Sequence, residues 1–176
     1  IEWCRLMAGM LQKMKGEQEM ADRKEKFEGA VRNRMQVRLL SLSVNEGMAR
    51  AAVAAFCAQE NPTATELADI KCAVSEAVTN CIVHAYRETV GWITLQVTLM
   101  EGGIVRIEIR DRGCGIPNVR QARQPMYTTD AAGERSGMGF TVMESFMDKL
   151  SVRSSVGKGT TVILFKKLHG GLHNGL

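Results

Sequence analysis

The chain has 176 residues, 45% apolar and 24% charged, with a formal net charge of +4 and only 5% aromatics. That composition fits one globular domain with a sizeable core. It argues against a nucleic-acid binder, whose basic surface would carry more aromatics, and it suits an anionic small ligand or an acidic partner protein. The five cysteines are odd in number and form no CxxC, so neither a disulfide framework nor a zinc site is suggested, and their apolar surroundings imply a reducing, cytoplasmic setting. No apolar run approaches the ~18 residues of a membrane span, and the first fifteen residues lack the pattern of a secretion signal.

Taken in order, residues 1–30 are charge-dense from Lys13 to Glu28 and show no sustained apolar period. Their six basic and six acidic residues cancel, so the whole net charge lies downstream. They are expected to be an appendage outside the core, disordered or helical, or a start assigned too early with Val31 as the natural first residue. From Gln36 to Ser43 the pattern is that of a strand. Asn45 is placed to cap a helix reaching Gln59, with Met48, Ala52, Val53, Ala55 and Phe56 inward and Glu46 and Arg50 outward. Asn61-Pro62 ends it, and Thr63 or Thr65 opens the next helix, with Glu66 positioned for a capping box if Thr63 is the cap.

The next stretch, Asp69 to Arg87, dominates the chain. Ile70, Val74, Ala77, Val78, Cys81, Ile82 and Ala85 recur at three- and four-residue steps, the mark of an amphipathic helix. Its polar side carries Glu76, Asn80 and His84 at i, i+4 and i+8. Alone, such a stripe reads as a solvated helix face. Beside the glycine motifs further along the chain it gains a second meaning, because a carboxylate and a carboxamide one turn apart can hold a proton acceptor and a metal ligand over one cavity.

Trp92–Met100 and Ile104–Arg110 alternate cleanly around Glu101-Gly102-Gly103 as a hairpin. Asp111-Arg112-Gly113-Cys114-Gly115 then leads into a polar stretch, Asn118 to Gly137, long enough to be a lid or binding loop. Met138 to Met147 reads as a short helix, and Leu150–Ser155 and Thr160–Lys167 as a closing hairpin around Gly157-Lys158-Gly159. Residues 169–176 read as a flexible tail. Paired hairpins with helices grouped between them predict an α+β fold: a two-layer sandwich whose mixed, mostly antiparallel sheet carries its helices on one face.

The glycine clusters invite a phosphate reading. The P-loop pattern fails, because Gly157-Lys158 is followed by Gly159 and preceded at the required distance by Val152. The dinucleotide pattern fails as well, with Asn118 and Val142 where the third glycine should stand. What remains is an ordered set: ExxxN on a helix (Glu76, Asn80), DxGxG after a strand (Asp111, Gly113, Gly115), GxG opening a helix (Gly137, Gly139), and Gly-Thr in the last hairpin (Thr160). This set resembles the four boxes of the ATPase and kinase superfamily that includes DNA gyrase B, a heat-shock chaperone, histidine kinases and MutL, with the Bergerat-type ATP-binding fold. Each box has a physical logic. Asp111 can accept from the adenine amino group, and Gly113 and Gly115 let the backbone approach base and ribose. The helix after Gly139 offers free N–H groups to phosphates, and Asn80 offers an oxygen to Mg²⁺.

Glu76-Ala77-Val78-Thr79-Asn80, Ala122-Arg123-Gln124-Pro125 with Thr128-Thr129, and Glu134 through Phe140 narrow the match. From Val31 to Lys167 the chain resembles the anti-sigma F factor family, serine protein kinases of spore-forming bacteria. The resemblance implies an ATP-binding kinase and anti-sigma domain over residues 31–168, bound to ATP and Mg²⁺. It also implies a cytoplasmic homodimer that sequesters the sporulation sigma factor F and phosphorylates a serine of an anti-anti-sigma partner, with no direct role for nucleic acid or membrane. Carried over by position, Glu76 is the general base, Asn80 the Mg²⁺ ligand, Asp111 the adenine contact, Arg135 a phosphate contact, Thr160 a second adenine-side contact, and Arg50 the residue that engages both protein partners. Cys81 and Ala85 depart from the small Ala and Gly usual there and are expected to crowd the helix but spare the site. Two alternatives stand beside this reading. One is a histidine-kinase-type catalytic domain, opposed by the absence of histidine from residues 1–30. The other is a non-catalytic module that ATP merely shapes.

Overall fold

A computed structural model describes residues 27–124 and 138–169. Strand β1, Val31–Leu40, begins earlier and ends sooner than its alternation suggested. It is an edge strand and therefore half-exposed, so only Met35, Val37 and Leu39 turn toward the core and the apolar signal is thin.

Helix α1, Val44–Cys57, has Ser43 rather than Asn45 at its N-cap. The Asn45 amide instead donates to the Leu40 carbonyl at 2.9 Å, closing the turn out of β1. Its buried side is Ala49, Val53, Ala54 and Cys57, whereas Met48 is 54% exposed and Ala55 is also exposed. Small side chains occupy the contact because α1 packs against α2, so the larger Met48 is turned outward.

Helix α2, Ala64–Asn80, starts on the expected capping box. The Thr63 hydroxyl accepts from the Glu66 N–H at 3.2 Å, and the Thr63 N–H donates to the Glu66 carboxylate at 2.8 Å. Ile70, Ala73, Val74, Ala77 and Val78 bury its inner face against the sheet. The helix then widens into one π-turn, Cys81–Ala85. Such turns under-wind the helix and occur often at functional sites, and here His84 lies within the turn.

Strands β2 (Trp92–Met100) and β3 (Ile104–Arg110) form the expected hairpin. A one-turn helix, α3 (Val119–Ala122), lies where only loop was expected, capped by the Asn118 side chain. Helix α4 (Gly139–Phe146) and the hairpin β4 (Lys149–Ser155) and β5 (Gly159–Lys167) complete the described chain.

The sheet order is β1-β2-β3-β5-β4. The fold is the expected α+β sandwich, with one difference: every pairing is antiparallel rather than mixed. The chain passes explain it. Two helices between β1 and β2 return the chain to the end it left, so β2 runs opposite to β1. The single pass of α4 gives β4 the direction of β3, and β5 then turns back into the gap between them. Among the described residues no two strands of like direction are neighbours.

Ile93, Leu95, Val97, Leu99, Val105, Ile107, Ile109, Val162 and Leu164 on the inner sheet face meet α1, α2 and Met143 of α4 in one core. On the opposite face Phe27 is only 7% exposed, its ring 5.3 Å from that of Phe165, with the Lys149 ammonium over both. The Ala30 carbonyl accepts from the Glu101 N–H at 2.9 Å. Phe27, inside the segment expected to lie outside the core, thus packs on the sheet, while residues 28–30 stay exposed.

Candidate functional site

Glu76 and Asn80 lie half-buried on the last turns of α2, and the first turn of α4 comes down beside them. A methyl group placed on Gly139 would sit 3.2 Å from the Glu76 carboxylate and 3.3 Å from both polar atoms of the Asn80 amide. Glycine there keeps a space between the helix start and the two side chains. Gly137 and Arg135, the other expected members of this group, lie outside the described residues.

Asp111 follows β3 and is 3% exposed. Its Oδ1 accepts from the Gly113 N–H at 2.9 Å and from the Thr160 N–H at 3.1 Å, and its Oδ2 lies 3.7 Å from the Cys81 sulfur. Burial raises the Asp111 carboxyl above the usual range, against the opposing pull of those backbone donors. Thr160 reaches Asp111 through its backbone, since its hydroxyl is shared with Ser154 at 2.8 Å.

The glycines of this loop answer to the protein itself. A side chain on Gly113 would come 2.2 Å from the Ala85 carbonyl oxygen, and one on Gly115, at φ +72°, 2.1 Å from the Ser155 carbonyl. Close packing of loop on π-turn and on β4 therefore requires them, whether or not a ligand approaches. Tyr86 supports the same loop from below. Its hydroxyl accepts from the Arg112 N–H at 2.9 Å and donates to the Trp92 carbonyl at 2.7 Å, with the ring seated on Gly91.

Two groups result, Glu76, Asn80 and Gly139 on one side and Asp111, Gly113 and Thr160 on the other. Cys81 links them: it follows Asn80 in the chain and touches Asp111. It was expected to spare the site, yet its sulfur reaches into it. Nothing in the sequence separates Cys81 from a core residue, because free cysteine in an apolar stripe packs as a small hydrophobe. Arg123 is bound at the mouth of the expected lid, where its guanidinium clasps Glu144 of α4 through Nε at 2.8 Å and Nη2 at 2.5 Å. Arg50 stands apart from both groups. It is exposed on α1 but not isolated, donating to the Ser75 hydroxyl at 3.2 Å and facing Glu46 at 3.5 Å, while Ser75 donates to Glu46 at 2.5 Å.

Residues 41–166 match the family described as "Histidine kinase-like ATPase domain", which fits a buried loop aspartate and a helix start set over a Glu-Asn pair. The fold agrees with that of the RsbU and RsbW domains of a Mycobacterium tuberculosis protein, at a TM-score of 0.57 and 22% identity, over 77% of this chain and 32% of that one. The chain is 54% identical over 134 residues to the anti-sigma F factor of Caldanaerobacter subterraneus subsp. tengcongensis, covering 76% of this chain and 93% of that protein. It is 51% identical over 136 residues to the anti-sigma F factor of Geobacillus stearothermophilus, covering 77% and 93%. This chain belongs to the anti-sigma F factor family.

Proposed function

We propose that this protein is an ATP-dependent anti-sigma factor that sequesters the sporulation sigma factor F and phosphorylates a serine of an anti-anti-sigma partner, acting as a cytoplasmic homodimer. The observation that carries the reading is the meeting of the α4 N-terminus with Glu76 and Asn80, joined through Cys81 to the buried Asp111.

ATP, when bound with Mg²⁺, supplies the transferable phosphoryl group and the charge neutralisation it needs. The residues present fit that ligand. Gly139 leaves room where a side chain would fill the cradle, and the N–H groups of the first α4 turn, where the N-cap Met138 offers no side-chain cap, suit phosphate oxygens. Among the described residues no three His, Cys, Asp or Glu side chains converge. A cation here would accordingly take the Asn80 side-chain oxygen and draw its other ligands from phosphates and water. Asp111 accepts the base amino group, with Thr160 beside it and Gly113 and Gly115 shaping the wall. Arg135, Gly137 and the rest of the expected lid complete the phosphate side in this reading. Glu76 accepts the proton of the incoming serine hydroxyl, and its place next to the phosphate end suits that role.

The test is a transfer assay. Protein with ATP and Mg²⁺ is incubated with an anti-anti-sigma protein, and the product is analysed for phosphoserine; a parallel titration measures sigma factor F binding with ATP or ADP present. Phosphoserine together with nucleotide-dependent sigma binding is expected. Sigma binding without transfer would reduce the protein to a module shaped by ATP, and phosphohistidine as the product would favour the histidine-kinase alternative.

A further inference from the structure

Asp111 engages the protein unevenly. Both backbone N–H groups fall on Oδ1, and the contact to Oδ2 is the Cys81 sulfur at 3.7 Å. A carboxylate held at one oxygen remains soft about its last torsion, because sp³–sp² torsions have broad wells. A donor at the second oxygen fixes the plane. Cys81 is 4% exposed at the first position of the π-turn, so its own place is set by the core. A cysteine thiol is ordinarily protonated at neutral pH and can donate, and the 3.7 Å approach to Oδ2 is that of such a donor. Among the described residues, Tyr86 and Arg112 are ionisable groups beside this pair, joined by the bond from the Arg112 N–H to the Tyr86 hydroxyl.

We propose that Cys81 is a positioning residue for base selection: its S–H donates to Asp111 Oδ2 and orients the carboxylate so that the free lone pair of that oxygen meets the exocyclic amino group of a purine nucleotide. The inference rests on the base-pocket role given to Asp111 above and adds a residue that reaches the base only through it. A thiol suits the place. It is a weak donor, so it steadies the carboxylate without competing strongly for the acceptor the base requires.

The experiment compares ADP with IDP, which carries a carbonyl oxygen where ADP carries the amino group. Dissociation constants are measured by calorimetry without Mg²⁺, so that cation binding at Asn80 does not enter, on the wild type, Cys81→Ala, Cys81→Ser and Asp111→Asn. Cys81→Ala should lower the preference for ADP over IDP by about fivefold, the scale of one modest hydrogen bond, and Cys81→Ser, which keeps a donor, should restore most of it. Should Cys81→Ala fail to fold, Cys81→Val keeps the bulk without the donor and takes its place. An unchanged preference, an equal weakening of both nucleotides, or the same loss in the Ser variant would overturn the proposal. If Asp111→Asn loses the preference while Cys81→Ala keeps it, only the role of Cys81 falls. If Asp111→Asn keeps full ADP preference, the base-pocket reading of Asp111 falls and takes the Cys81 proposal with it.

Discussion

Glu66 does more than close a capping box. Its carboxylate accepts from the Thr63 N–H at 2.8 Å and hydroxyl at 3.1 Å, and from the His169 N–H at 2.7 Å, with the His169 ring at 3.1 Å. Burial alone would raise its pKa, but these bonds override it and hold the carboxyl at about 2, below its ordinary 4.5. A depressed carboxyl contributes stability that is complete above pH 4.5 and is lost as pH falls through about 2, because the unfolded chain binds the proton first. Unfolding curves measured across that window should fall toward acid, and Glu66→Gln should flatten the fall; an unchanged acid limb would show that Glu66 does not carry it. The proton acceptor proposed for transfer has its own test. Glu76→Gln keeps shape and hydrogen bonding, so phosphorylation should drop ~10²–10⁴-fold while ATP binding persists, and near-normal transfer by that variant would sink the role. Asp111, Glu76 and Asn80 were legible only as members of an ordered set, ExxxN on a helix before DxGxG after a strand, since the polar stripe alone reads as a solvated face. Cys81 and Tyr86 were not legible, since their roles depend on which loop packs beside them.

At the scale of elements, the hairpins and α2 were legible because alternation and the 3.6 period are strong where one face is buried. The start of α1 was not. Asn45 and Ser43 are both good caps on paper, and the choice fell to the turn, where Asn45 binds the Leu40 carbonyl. The π-turn was equally hidden, since an apolar helical pattern runs on through Ile82 and Ala85. Phe27 alters what truncation should do. Deleting residues 1–26 is expected to leave the melting temperature and ATP binding unchanged. Phe27→Ala, which uncovers Phe165, should cost roughly 3 kcal/mol, at the low end for such a truncation, and lower the melting temperature by several degrees. A Phe27→Ala protein as stable as its parent would show that the ring only rests on the sheet.

For the whole molecule the proposed function raises the question of how two proteins would share one surface. Arg50 lies on α1, bound to Glu46 and to Ser75, and Ser75 directly precedes Glu76 in α2. Under the proposed function both partners use this arginine, so they cannot occupy one protomer together and release follows from competition. Its planar fork can serve different acceptors in turn. Arg50→Ala should weaken both complexes by more than about 1 kcal/mol, with ATP binding untouched. Paired titrations with ATP and Mg²⁺ decide it: loss for one partner alone would assign the two proteins to separate surfaces. Overall architecture was readable as far as the hairpins go. The all-antiparallel order was not, because it depends on where β5 inserts, and strand spacing does not record insertion.

That insertion also dictates when the protein becomes competent. Strands are synthesised in chain order, but β5 belongs between two that precede it, with Asp111 N–H donating to the Thr160 carbonyl at 3.0 Å across the seam. Until β5 arrives, β3 presents an open edge, and Asp111 lacks the Thr160 N–H that holds its carboxylate. A nascent chain on the ribosome can therefore complete α1, α2 and the first hairpin while the base pocket proposed around Asp111 is still missing one wall. Under the proposed function, nucleotide capture is consequently a late event in the life of each molecule. A chain stalled before Thr160 would carry Arg50 on α1 but lack the Thr160 N–H that holds the Asp111 carboxylate.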